Sequence, residues 1–140
     1  MTREPIYAAL FNLLQNLPGI VTASRRLRHW NDVPRANQPA LYMVQKSESA
    51  QTITGQPTKW LLRLNVYLYV NTADRTQSPA EVMNLLLDAI SAALEPPPAI
   101  GKQTLGGLVY YCRIAGEIQT DEGALGDQSV AIIPVELLAV

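Results

Sequence analysis

Cysteine, histidine and phenylalanine each occur once in this 140-residue chain, as Cys112, His29 and Phe11. A lone cysteine excludes an internal disulfide and suits a reducing compartment. One histidine and one cysteine in separate elements lack the ligand spacing of a metal site, so no metal or other cofactor is expected. Charge is sparse as well. Asp, Glu, Lys and Arg make up 16% of the chain, against about a quarter in an average domain, and so lightly charged a surface points to cover by a partner. Long apolar runs are missing too. The C-terminal stretch VAIIPVELLAV is too short for a membrane span and contains Glu136, so no membrane association is expected. The opening MTREPIYAALFNLLQNL is not expected to act as a secretory signal, because Glu4, Pro5, Asn12 and Gln15 interrupt it and no small-residue cleavage site follows.

Apolar residues account for 48% of the chain, enough for one globular domain over residues 1–140 with a sizeable core. The net charge of −1 gives no overall basic field for gathering nucleic acid. The charges are segregated, however. Residues 1–75 carry nine Lys/Arg against four Asp/Glu, whereas residues 76–140 carry two against eight.

The periodicities predict two helices and a sheet. In the first helix, Ile6, Ala9, Leu10, Leu13, Leu14 and Leu17 form one stripe, with Tyr7 and Phe11 off it, and Pro18-Gly19 stops it. A short strand fits within 20–27, followed by the loop RHWNDVPRANQP and a strand over ALYMVQKSE (40–48). KWLLRLNVYLYV (59–70) alternates strictly. Its even positions are apolar and its odd ones include Lys59, Arg63, Asn65, Tyr67 and Tyr69. One face is therefore expected in the core and the other wet or against a partner. SPAEVMNLLLDAISAAL predicts the second helix, with a Ser78/Glu81 capping box, Pro79 in the first turn and a core face of Val82, Leu85, Leu86, Ala89, Ile90 and Ala93. EPPPAIG ends it. Two further strands are expected over 108–118 and 129–140, joined by the acidic loop QTDEGALGD. Pro134 implies an edge position or a bulge for the last of them. The fold class is α+β, with both helices on one face of a two-layer, mostly antiparallel sheet.

No catalytic residue stands out. His29 has Asp32 nearby in sequence, but no nucleophile signature accompanies it. GKQT (101–104) fails as a phosphate loop, because Pro96 stands where its first glycine belongs and Gln103 where Ser or Thr must follow the lysine. Cys112 alternates with Tyr110 and Ile114 on a strand, which suits a core thiol. The densest chemistry is RRLRHW (25–30), with three arginines, the histidine and a tryptophan in six positions. Arginine over phosphate with stacking tryptophan would suit nucleic acid, but arginine and tryptophan are also the residues that dominate protein interfaces. A solvated basic edge is the third reading.

The segments RHWNDVPRANQPALYM (28–43), GQPTKWLLRLNVYLYV (55–70), LLDAISAALEP (86–96), QTLGGLVYYCRIAGEIQTDEG (103–123) and IIPVEL (132–137), in that order, resemble the small tail terminator proteins of long-tailed bacteriophages and prophages. The resemblance implies a structural protein with no catalytic residues. It implies a six-fold ring on the finished tail tube, assembled in the host cytoplasm and carried in the virion tail. Its partners would be further copies of itself, the tail tube protein and a head-completion protein, with DNA passing through unread. A ring is built from heterologous contacts between different patches. On that reading Arg25, Arg26 and Arg28, beside Trp30 and Asp32, are expected to meet acidic groups of the tube or of a neighbouring copy, where Glu117, Asp121, Glu122 and Asp127 are the candidates. The hairpin 47–58 and the loop 119–128 are expected to order on assembly. The alternatives are a small ligand-binding domain or enzyme of helix-on-sheet architecture, and a nucleic-acid-binding protein along the DNA path.

Overall fold

The strand with the cleanest alternation organises the molecule. The computed structural model describes residues 1–74, 76, 78–95, 102–124 and 126–140. Within it, β3 (Lys59–Asn71) lies between β2 (Ala40–Gln51) and β6 (Gln128–Ala139), antiparallel to both. β1 (Thr22–Ser24) adds to β2 in parallel at one edge. At the other edge β4 (Tyr111–Ile114) and β5 (Gln119–Glu122) pair with successive parts of β6. The strand order is β1-β2-β3-β6-β4, with β5 beside β6 beyond the end of β4. Helices α1 (Arg3–Gln15) and α2 (Pro79–Leu94) complete the order. Among the described residues no helix is long and apolar enough to cross a membrane.

Both helices pack on one face of this sheet. Leu62, Leu64, Val66, Leu68 and Val70 of β3 share one buried cluster with Ile6, Tyr7, Leu10 and Leu14 of α1 and Met83, Leu86, Ile90 and Leu94 of α2. Arg63 is exposed and Asn65 half-buried on the opposite face, so the β3 register follows the alternation. The helix stripes are rotated from expectation. Tyr7 lies in the core, and its hydroxyl donates to Glu48 on β2 at 3.2 Å, a polar outlet that lets a tyrosine be buried. On α2 the buried line is Met83, Leu86, Ile90 and Leu94, whereas Leu85 is 70% exposed. The expected capping box does not form. Ser78 makes no side-chain cap bond, and its carbonyl instead accepts the N–H of Glu81. Ser78 is exposed, so water can serve the first-turn donors.

The second half differs from expectation in three ways. The strand expected over 108–118 is cut to Tyr111–Ile114, and QTDE, expected as loop, is β5. Pro134 does not mark an edge, because β6 is an inner strand. It falls at the break between β4 and β5, where Ala115 N–H donates to the Pro134 carbonyl at 3.1 Å. The N and C=O of one residue point to the same side of a strand, so the missing N–H falls on this gap and costs no ladder bond. Ser47–Gln51 and Gln119–Glu122 are paired strands within the single chain. The prolines at 96–98, expected to end α2, lie outside the described residues.

QTLGG acts as a clamp at the far end of α2. Gln103 Nε2 donates to the Ala93 carbonyl at 2.8 Å, satisfying one of the acceptors that a helix end leaves open. Gln103 Oε1 accepts from Leu105 N–H at 3.0 Å. Leu105, with φ of 53°, starts a left-handed turn that Gly106 and Gly107 continue.

Candidate protein interface

RRLRHW leaves the end of β1 and folds back over the helix-free face of the sheet. That face is not simply wet, as the alternation alone implies. Val33, Ala40, Tyr42, Tyr69 and Val130 form a second small buried cluster, with Trp30, Tyr67 and Ile132 packed against it. The Tyr69 hydroxyl donates to the Arg28 carbonyl at 2.8 Å, and Gln38 Nε2 donates to the Val33 carbonyl at 2.9 Å. The segment is thereby fastened at both ends of its return path.

The three arginines have different surroundings. Arg25 forks onto both carboxylate oxygens of Glu4 and reaches Gln45 at 3.5 Å. Its hydrogen bond holds the exposed Glu4 carboxyl below the usual carboxylate value. Arg28 donates to the Asp32 carbonyl at 2.6 Å. Arg26 has no side-chain hydrogen bond or ion pair among the described residues and is exposed. Trp30 is half-buried, 5.0 Å from the His29 ring, so it anchors the segment as much as it offers a contact. His29 Nδ1 accepts from Asn31 N–H at 3.1 Å. Ser24, Arg26, Leu27, Arg28, His29 and Asp32 line an open groove.

The acidic candidates lie on the opposite edge of the sheet. Asp121 and Glu122 are in β5, Asp127 just precedes β6, and Glu117 sits in the gap between β4 and β5. Asp121 accepts from Ala124 N–H at 3.0 Å, and Glu117, Glu122 and Asp127 make no side-chain hydrogen bond among the described residues. The registers place the two edges level. One row across the sheet runs Thr22, Ala40, Tyr69, Val130, Asp121. Four strand spacings separate its ends, roughly 19 Å. The two charge sets are therefore not brought together within the chain.

Sequence reasoning missed the third charged group. Arg63, Glu136 and Arg113 stand side by side on β3, β6 and β4. Glu136 lies 3.6 Å from Arg63 and 3.1 Å from Arg113, and Tyr111 donates to it at 3.1 Å. The signal was available, since Arg63 and Glu136 both stand on the side of their strands that the alternation turns away from the helices. Among the described residues no three His, Cys, Asp or Glu side chains converge on one point. Cys112 is buried in the main core, and burial pushes its thiol up to about 12, away from nucleophilic chemistry.

No family model matches the sequence, and no curated protein is significantly similar to it. Solved structures do match the fold. One of them, which carries no functional description, superposes with a TM-score of 0.53 at 19% identity, covering 98% of this chain and 96% of its own. That likeness is one of fold.

Proposed function

We propose that this chain is a structural assembly protein of the tail-terminator type. It forms a homo-hexameric ring on the tail tube, stops tube growth and presents the surface that a head-completion protein joins in the virion tail. The observation that carries the reading is the arrangement of charge. Exposed Arg26 and Arg28 flank one sheet edge, exposed Glu117, Glu122 and Asp127 with half-buried Asp121 flank the other at about the same level, and no ion pair within the described residues joins the sets. Opposite flanks of opposite sign favour heterologous, head-to-tail association, the kind that closes into rings. Arg26 and Arg28 steer this association toward Glu117, Asp121, Glu122 and Asp127 of a neighbour or toward acidic groups of the tube. Catalysis has no place in this reading, and DNA passes through the ring without sequence-specific contacts.

Electron microscopy of the purified protein, with and without tail tubes, tests it. Rings seated on tube ends, and overlong tubes when Arg26 and Arg28 are both changed to Glu, are the expected results. Normal tails from that double variant, with its fold intact by circular dichroism, would refute the role of the arginines. Protein that never seats on a tube end would refute the terminator reading itself.

A further inference from the structure

Eight large apolar side chains stand out as exposed among the described residues, and seven of them gather on the two flanks. Val21, Leu27 and Leu85 lie on the β1 flank. There Pro18, Pro39, Val82, Leu85 and Ala89 line an open apolar groove of about 580 Å³ between α2 and the turn after α1. Met1, Leu108, Tyr110 and Val140 lie on the β4 flank, where Leu108 and Val140 meet the start of α1. Tyr110 is 54% exposed although its N–H is fixed to the Leu138 carbonyl at 2.7 Å, so its ring stands out from a rigid strand end. Patches of this kind mark contact sites on a folded chain.

We propose that these two patches are the two halves of one contact between copies of this chain. The Leu108–Tyr110 corner of one copy seats in the α2 groove of the next. Charge complementarity argues for a second copy as the occupant. α2 carries Glu81 and Asp88, with Asp88 on the groove wall, and no base. The stretch 102–113 that presents the corner carries the exposed Lys102 and no acid, its other base, Arg113, being held by Glu136 within the chain. Apolar surface thus meets apolar surface while the acids of α2 meet Lys102. The patches differ from each other, so the contact is heterologous and repeats around a ring.

The contact is staggered along the strands. Tyr110 is bonded to Leu138, whereas β1 is level with Val130, eight residues back along β6. That offset is roughly 26 Å at the rise of an extended strand. Neighbouring copies are therefore staggered, with their sheets not continuous across the contact. Across such an offset the charges of the two edges act on the approach and not as docked pairs, and the groove supplies the buried area.

The inference rests on the reading of the chain as a ring protein, and mixing experiments separate the two. Leu85→Glu spoils the groove and leaves the corner intact; Leu108→Glu spoils the corner and leaves the groove. Each site is exposed in the single chain, and circular dichroism checks that each variant folds; Tyr110→Glu is the second corner variant. In sedimentation at increasing concentration, wild-type protein should associate. Each variant alone should do so at least about tenfold more weakly. The two variants mixed should form dimers and stop there, because one good groove and one good corner remain. Variants that associate like wild type, a mixture that forms no dimers, or wild-type protein that stays monomeric at millimolar concentration would each overturn the contact. Dimers from the mixture with no wild-type capping of tubes would keep the contact and refute the terminator reading. Tubes capped equally well by wild type and both variants would do the reverse.

Discussion

The Tyr69 hydroxyl donates to the carbonyl of Arg28, 41 positions earlier in the chain, over 2.8 Å. This one bond ties the basic segment to the central strand of the sheet. Arg26 and Arg28 thus leave a backbone held in place, and their direction is set before any partner arrives. Holding a contact segment in this way lowers the ordering cost of binding.

Tyr69→Phe removes the donor and leaves the ring. The Arg28 carbonyl can turn to water, so the expected loss of stability is about 1 kcal/mol. The larger effect is expected locally. Trypsin should cut after Arg26 or Arg28 faster in the variant, while the hydrogen exchange of β3 and β6 stays slow. Unchanged cleavage would mean that Val33 and Trp30 hold the segment without the hydroxyl.

Two leucines that look equivalent in sequence should separate sharply on substitution. Leu64 is 1% exposed in the main core, and Leu64→Ala is expected to cost about 2–5 kcal/mol. Leu85 is 70% exposed on α2, and Leu85→Ala should change the stability of the single chain by no more than about 0.5 kcal/mol. Urea melts at low protein concentration measure both. Similar losses at the two sites would contradict the face that α2 buries.

That pair also shows what was legible in the sequence. The alternation of β3 fixes which face it buries, because a period of two tolerates no rotation. A helix stripe can rotate by one residue without losing its periodicity, and this happened on both helices, to Tyr7 and to Leu85. The two edges of the sheet were harder to read. β5 is four polar residues, and its strand character comes from its partner β6 rather than from its own pattern. Pro134 read as an edge signal because the break between β4 and β5 is a tertiary feature. Of the interface candidates, the sequence showed the charges and their segregation. It did not show that Glu4 engages Arg25, nor that the charged edges are level, because both depend on pairings far apart in the chain.

Burial sets the behaviour of the molecule in alkali. Tyr7 and Tyr69 are both buried, and loss of water around the phenol pushes each up to about 12 from an ordinary 10.0. The Glu48 carboxylate adds to the shift at Tyr7, and Tyr42 and Tyr67 add to it at Tyr69. The folded state holds these protons more tightly than the unfolded chain. The stability they contribute is therefore complete below pH 10 and is lost as pH rises through 12. A titration followed at 295 nm should show a late, cooperative phase of phenol ionisation that coincides with loss of the far-ultraviolet dichroism. Ionisation of all six tyrosines near pH 10 with the dichroism unchanged would contradict the burial of Tyr7 beside Glu48 and of Tyr69 beneath the basic segment.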